Sequence, residues 1–278
     1  MAEPLHDYNQ ALIKCIAGIS RNEELKNKLC SNKKALLEKS SNYVIAAEKG
    51  QLYIIQPIIS NNEDCVVLNT LKKDDLIKLY TQYLVNKEKP GRDVYNALLS
   101  IANEKCSFCG GIGRPMNLDH FLPKAHFPQF SVLPKNLIPS CLDCNTVNKK
   151  NIYAKEEKEQ IIHPYLDHEK FFSTQWVFAK YQQNNKEPST VDYFVKPPSN
   201  WNDVDKQRVK SHFEFFDLRK RYSIQAAEEL IYAEEQIKRL LDKDISPEEI
   251  LLYPARSTYF VNHWKAIMYQ ELINKFQI

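Results

Sequence analysis

Apolar residues recur every three or four positions through ELKNKLCSNKKALLEKSSNYVIAAEKG (24–50) and KKDDLIKLYTQYLVNK (72–87), a spacing that predicts amphipathic helices. After the Pro90-Gly91 break, KPGRDVYNALLSIANEK (89–105) restarts a helix that leads into Cys106. QLYIIQPII (51–59) and DCVVLNT (64–70) have the apolar content of short strands or buried connectors. Farther on, STQWVFAKYQQ (173–183) and STVDYFVKP (189–197) are rich in aromatic and β-branched residues on either side of a polar NNKEP turn, which predicts a hairpin. Helical periodicity then returns in 204–216, 222–244 and 261–276, and SPEE (246–249) is a helix start with Ser246 as cap and Glu249 three residues on.

Between these flanks the texture changes. Only six glycines occur in the chain, and Gly110, Gly111 and Gly113 crowd behind Cys109, where a tight cysteine-bearing turn would need them. Prolines 115, 123, 128, 134 and 139 then break regular structure until CLDCNTVNKKN, which predicts a turn entering a short helix. Residues 104–155 therefore form a loop-rich module that something other than its own core must hold together.

Cys106, Cys109, Cys141 and Cys144 form two C-x-x-C pairs. Two such turns can aim four thiolates at one ion, giving a closed tetrahedral zinc site with no open position, hence a structural metal. A redox reading would need one pair beside a βαβ unit, whereas here there are two matched pairs. Cys15, Cys30 and Cys65 lie in apolar or mixed surroundings and read as plain core or surface cysteines.

The sequence between the pairs carries more than a staple. Asp119 and His120 stand together in LDHFLP, Asn136 sits in KNLIP, and Asn145 follows the last cysteine. With CSFCG, LDHFLPK, LPKNLIPSCLDCN and the trailing lysines in this order, the stretch resembles the zinc-stapled branch of the HNH endonuclease family. The resemblance covers about fifty residues and implies a ββα-metal fold. It gives His120 the part of general base, a role that suits a neutral imidazole. Asp119 and Asn145 would hold a catalytic divalent ion, and Asn136 would hold the loop and orient the base. Asn145 stands where the family often has His, and oxygen ligands favour Mg2+ or Mn2+.

Other polar residues are read more plainly. Lys124, Lys135, Lys149 and Lys150 are grouped candidates for phosphate contact, and His126 is a loop histidine. His163, Asp167 and His168 have ligand-like spacing, but the two metal roles are already filled, and His212 and His263 lie on aromatic helical faces as packing residues.

The chain has 278 residues, 26% of them charged, and a net charge of +3, too weakly basic to identify nucleic acid by charge alone. It carries no signal-peptide pattern and no bilayer-length apolar run, so a cytoplasmic protein with no membrane partner is expected. The expected fold class is α+β: a mainly helical protein with a central module stapled by zinc, divided as 1–103, 104–160 and 161–278. The expected function is hydrolysis of nucleic-acid phosphodiesters, DNA before RNA, with a binding module that has lost its nuclease geometry as the rival. Similarity to bacterial defence-associated HNH nucleases adds anti-phage defence as the setting and a separate ATPase subunit as a partner, since no nucleotide-binding loop is present. One module cuts one strand, so a double-strand break would require an oligomer or sequential nicks.

Overall fold

The computed structural model describes residues 3–183 and 188–276, and the chain divides into two compact units at Asp167/His168. In the first unit α1 (Tyr8–Ala17) starts from a reciprocal cap, in which Asp7 accepts the Gln10 N–H at 2.7 Å and the Gln10 side chain accepts the Asp7 N–H at 2.9 Å. α2 (Glu23–Glu48) is capped by Asn22, with Glu23 and Glu24 complementing the positive end of the helix. Segment 51–59 contains one short 3-10 turn, Leu52–Ile54, and no strand. Its backbone is drawn back to the helix by the Gln51 N–H to Ala46 O bond, and Ile54 and Ile59 are exposed, so neither a strand nor a fully buried connector results. β1 (Val66–Leu68) and β2 (Leu71–Lys72) form a minimal hairpin ahead of α3 (Lys73–Lys78), which runs on as a wider π-helical turn, Leu79–Leu84. α4 (Arg92–Ser100) completes the helical set.

The central stretch contributes β3 (Asn117–His120) and β4 (Leu137–Ser140), antiparallel from Asn117↔Ser140 to His120↔Leu137. The short helix expected after the second cysteine pair is a π-helical segment, Asp143–Lys149. Residues 121–136 link the two strands as a loop that is mostly buried. The N-terminal helices pack onto this loop and the strand before it. Tyr8 Oη donates to Gln129 O at 2.8 Å, Ser131 Oγ to Leu76 O at 2.6 Å, and Tyr80 Oη to Leu118 O at 3.3 Å. Phe127 and Phe130 are buried in the same core, each contributing about 1.5–3 kcal/mol.

In the second unit α5 (Lys170–Ser173) precedes β5 (Val177–Gln182) and β6 (Thr190–Val195), which pair antiparallel from Val177↔Val195 to Gln182↔Thr190. The hairpin expected there forms, and residues 184–187 of its turn lie outside the described residues. α6 (Asp203–Phe215) and α7 (Leu218–Leu241) are joined through Asp217 at φ 49°. A π-helical turn, Glu248–Leu252, then enters α8 (Tyr253–Thr258), with Ser246 Oγ accepting the Glu249 N–H as expected of a cap, and α9 (Trp264–Phe276) closes the unit. His212 and His263 are buried packing residues, the latter stacked on Tyr259 at 4.0 Å. No described helix is long and apolar enough to cross a membrane.

Asn262 ties this unit together. Its buried side chain accepts from the Trp176 and Val177 N–H groups at 2.7 and 2.9 Å and donates to Thr174 O at 2.9 Å. Asn262→Ala would strand two buried N–H donors and should lower stability by about 2–4 kcal/mol in urea denaturation. An unchanged midpoint would refute the assignment.

Candidate metal centre and adjoining cleft

The two cysteine pairs converge. The sulfurs of Cys106, Cys109, Cys141 and Cys144 all lie within 4.8 Å of one another, and all four residues are buried. Gly110 and Gly111, at φ 64° and 89°, supply the left-handed turn after Cys109 that other residues adopt at a cost. The Gly111 N–H closes the turn on Cys106 O at 3.0 Å. Backbone N–H groups also point at sulfur, Gly113 at Cys109 Sγ (3.4 Å) and Cys141 at Cys106 Sγ (3.3 Å). Four buried sulfurs so arranged can hold a metal ion. Cys15, Cys30 and Cys65 lie apart, unbridged, at buried, exposed and half-buried positions.

Along β3 and the helical segment, a cleft of about 420 Å3 is lined by Asn117, Asp119, His120, Lys124, Asn145 and Lys150 among others. Asp119, His120 and Asn145 are thus brought together, while Asn136 is fully buried and does not line the cleft. His120 Nε2 lies 2.9 Å from Ser131 O. A carbonyl only accepts, so Nε2 carries the proton and Nδ1 keeps the lone pair. Burial, followed by the charge of Lys124, pushes the ring's pKa down to about 3 against the pull of the Ser131 bond, so the imidazole is neutral near pH 7.

Asp119 has an unexpected neighbour. Lys149 is almost fully buried, its Nζ donating to His120 O at 2.5 Å and lying 3.2 Å from Asp119 Oδ2. Both members of this ion pair are buried. Burial pushes the Asp119 carboxyl up and the Lys149 ammonium down, and each holds the other back toward its charged form. Lys149 is therefore a buried counter-ion and not a surface phosphate contact. Asn145 donates through Nδ2 to Asn117 Oδ1 at 2.8 Å, which leaves its own Oδ1 available as a donor atom for a cation.

Lys124, perched 5.4 Å above the Tyr80 ring, and Lys150 do line the cleft. Lys135 pairs instead with Glu3, and His126 packs against Tyr153. Asp167 accepts the His163 N–H at 2.6 Å and His168 Nδ1 accepts the Lys170 N–H, so these residues serve turns. Among the described residues the four cysteines alone gather as a candidate metal-binding group of His, Cys, Asp and Glu side chains. Asn117 escaped the sequence reading, although its position two residues before Asp119 on a strand places both on one face. Tyr80 carries no comparable signal.

Fold and site together define a mainly helical protein in which a cluster of four cysteines able to hold a metal adjoins a cleft bearing aspartate, histidine and asparagine. The chain belongs to the family of Protein ea31 of Escherichia phage lambda, to which it is 35% identical over 285 residues, 98% of this chain and 95% of that protein. Septu protein PtuB of Bacillus thuringiensis is 40% identical over 75 residues, 26% of this chain and 28% of that one. No family model matches, and no solved structure matches at a significant level.

Two outcomes follow from this geometry. The protein should purify with a single metal ion per chain held by the cluster, and Cys109→Ser should lose both the ion and thermal stability; retention of full metal content by the variant would show that the sulfurs do not bind it. Lys149→Met should cost about 3–5 kcal/mol in denaturant unfolding by leaving Asp119 buried and unpaired, with much of that recovered on adding Asp119→Leu. Additive losses in the double variant would refute the pairing.

Proposed function

We propose that the protein is a metal-dependent endonuclease of the HNH type that hydrolyses phosphodiester bonds of nucleic acid, with DNA as first substrate. The observation that carries this reading is the meeting, in one cleft, of a histidine whose Nδ1 is unprotonated, a carboxylate and an asparagine amide oxygen. The Asp119 carboxylate and Asn145 Oδ1 are hard oxygen donors suited to Mg2+ or Mn2+. Such an ion would take up charge on the phosphate and the leaving oxygen. The cluster's four thiols and its N–H···S contacts suit Zn2+ in a closed, structural role.

The chain's own residues would act as follows. Ser131 O fixes the His120 ring and its tautomer, so Nδ1 is the atom that accepts a proton from an attacking water. Lys149 favours the ionised form of the neighbouring carboxylate while lying too deep to reach substrate. Lys124 and Lys150, on the cleft wall, would meet backbone phosphates. Metal-assisted hydrolysis needs no 2′-OH, so RNA is the alternative substrate. A role in anti-phage defence beside a separate ATPase subunit is the setting that the resemblance suggests, and it belongs to the same proposal.

One observation favours a second reading. Because Lys149 already supplies Asp119 with a cation, the module can stand without a divalent ion, as a nucleic-acid or protein-binding unit would. A nicking assay on supercoiled plasmid with Mg2+ or Mn2+ separates the two. Wild type should relax the plasmid, and His120→Ala, folded and with its cysteine-bound metal retained, should be slower by about 10²–10⁴-fold. Equal cleavage by both would remove His120 from the chemistry, and binding without cleavage of plasmid, single-stranded DNA or RNA would leave the binding module.

A further inference from the structure

Behind the cleft a chain of hydrogen bonds runs from outside the module to the residue that holds His120. It starts at His163, which is fully buried and whose Nδ1 accepts the Tyr165 and Leu166 N–H groups at 3.2 and 3.3 Å. A ring nitrogen that accepts backbone N–H carries no proton, so the proton is on Nε2. Nε2 lies 3.1 Å from Tyr43 Oη, to which it therefore donates. With its oxygen taken as acceptor, the Tyr43 hydroxyl donates onward to Asn136 Oδ1 at 3.0 Å. Asn136 Oδ1 also accepts the Leu122 N–H at 2.7 Å, and its Nδ2 donates to Leu122 O and Phe130 O, each at 3.1 Å. The residue after Phe130 is Ser131, whose carbonyl receives His120 Nε2–H.

Every direction in this chain is fixed by a backbone group at one end or the other. The Leu122 N–H can only donate and the Leu122 and Phe130 carbonyls can only accept, so the Asn136 amide has one orientation. The Tyr165 and Leu166 N–H groups set the His163 tautomer in the same way. Tyr43 is the joint between the two fixed ends, and all three side chains are sealed from water, so no solvent molecule can replace a lost partner.

We infer that Tyr43 and His163 are positioning residues of the cleft, holding the 121–136 loop through Asn136 so that Ser131 O keeps the His120 ring in one tautomer and one orientation. The catalytic meaning of this rests on the nuclease reading above, but the coupling itself does not. Neither residue touches the cleft. Tyr43 comes from the C-terminal part of α2, and His163 lies beyond the two cysteine pairs.

The test uses the full chain, labelled with 15N-histidine, and reads the His120 ring N–H by NMR, assigned by its loss in His120→Ala. In the wild type this proton should be sheltered and slow to exchange with water. In Tyr43→Phe, which removes one oxygen and keeps the ring, its exchange should quicken by at least tenfold while metal content is unchanged. His163→Gln keeps a donor for Tyr43 and should preserve the protection, whereas His163→Leu should lose it. If Tyr43→Phe does not fold, the His163 pair gives the same comparison. Protection in Tyr43→Phe or His163→Leu equal to that of wild type would overturn the inference. If the wild type cleaves nucleic acid, the same variants should lower kcat with KM little changed; if it cleaves nothing, the nuclease reading fails and the exchange measurement still decides the coupling.

Discussion

Between β3 and β4 the chain has to cross the interior of the first unit with no sheet to pair against. Residues 121–136 include Pro123, Pro128 and Pro134, and twelve of the sixteen are buried. A buried backbone without a ladder needs other partners for its N–H and C=O groups. The Asn136 side chain supplies them, accepting from Leu122 N and donating to Leu122 O and Phe130 O, while its own carbonyl receives the Phe121 N–H at 2.8 Å. An aspartate there could accept but not donate, and an apolar residue could do neither. The loop's path, and with it the position of Ser131, follows from that one amide.

The cleft is a consequence of the same constraint. His120 is the last residue of β3, so its ring is held from the loop through Ser131 O while its own carbonyl is held from the helical segment through Lys149. The clamp fixes which nitrogen is bare, and the surrounding burial keeps the ring neutral. Lys149 adds a second effect from the same atom, since the ammonium that grips His120 O also lies against the Asp119 carboxylate. A charge pair at this depth carries a desolvation cost, and Asp119, its acidic member, lines the cleft.

What could be read from the sequence was whatever short spacing encodes. Two C-x-x-C turns, the adjacent Asp119 and His120, and Asn145 after the last cysteine are local patterns, and the structure gathers them as such. The main helices and the β5–β6 hairpin were legible for the same reason, through their periodicity. The burial of the 121–136 loop was not, because a proline-broken stretch without helix or strand period ordinarily marks a surface connector, even one with apolar residues such as Phe121, Phe127 and Phe130. Lys149 reads in the sequence as one of several phosphate-contact candidates, because lysine is so seldom buried. Tyr43 meets Asn136 across 93 residues of sequence, and on a helix its periodicity reports only that it faces inward. Segment 51–59 shows the opposite failure, where apolar content suggested a strand or buried connector but much of the segment stayed at the surface.

These points explain why the helices belong to the site. Two strands of four residues each make a hairpin too small to persist in water. One end is held by the cysteines, where Ser140 leads directly into Cys141 and Ser107 N reaches Pro139 O at 3.5 Å. The other end is held by Asn136 and the loop, and the loop is in turn held by Tyr43 of α2, by Leu76 O of α3 and by Gln129 O bonding Tyr8 of α1. Metal alone would secure the end away from His120. The end that carries the histidine is secured by residues from the first hundred positions, so the geometry of the cleft depends on helices that contribute almost no side chain to its wall.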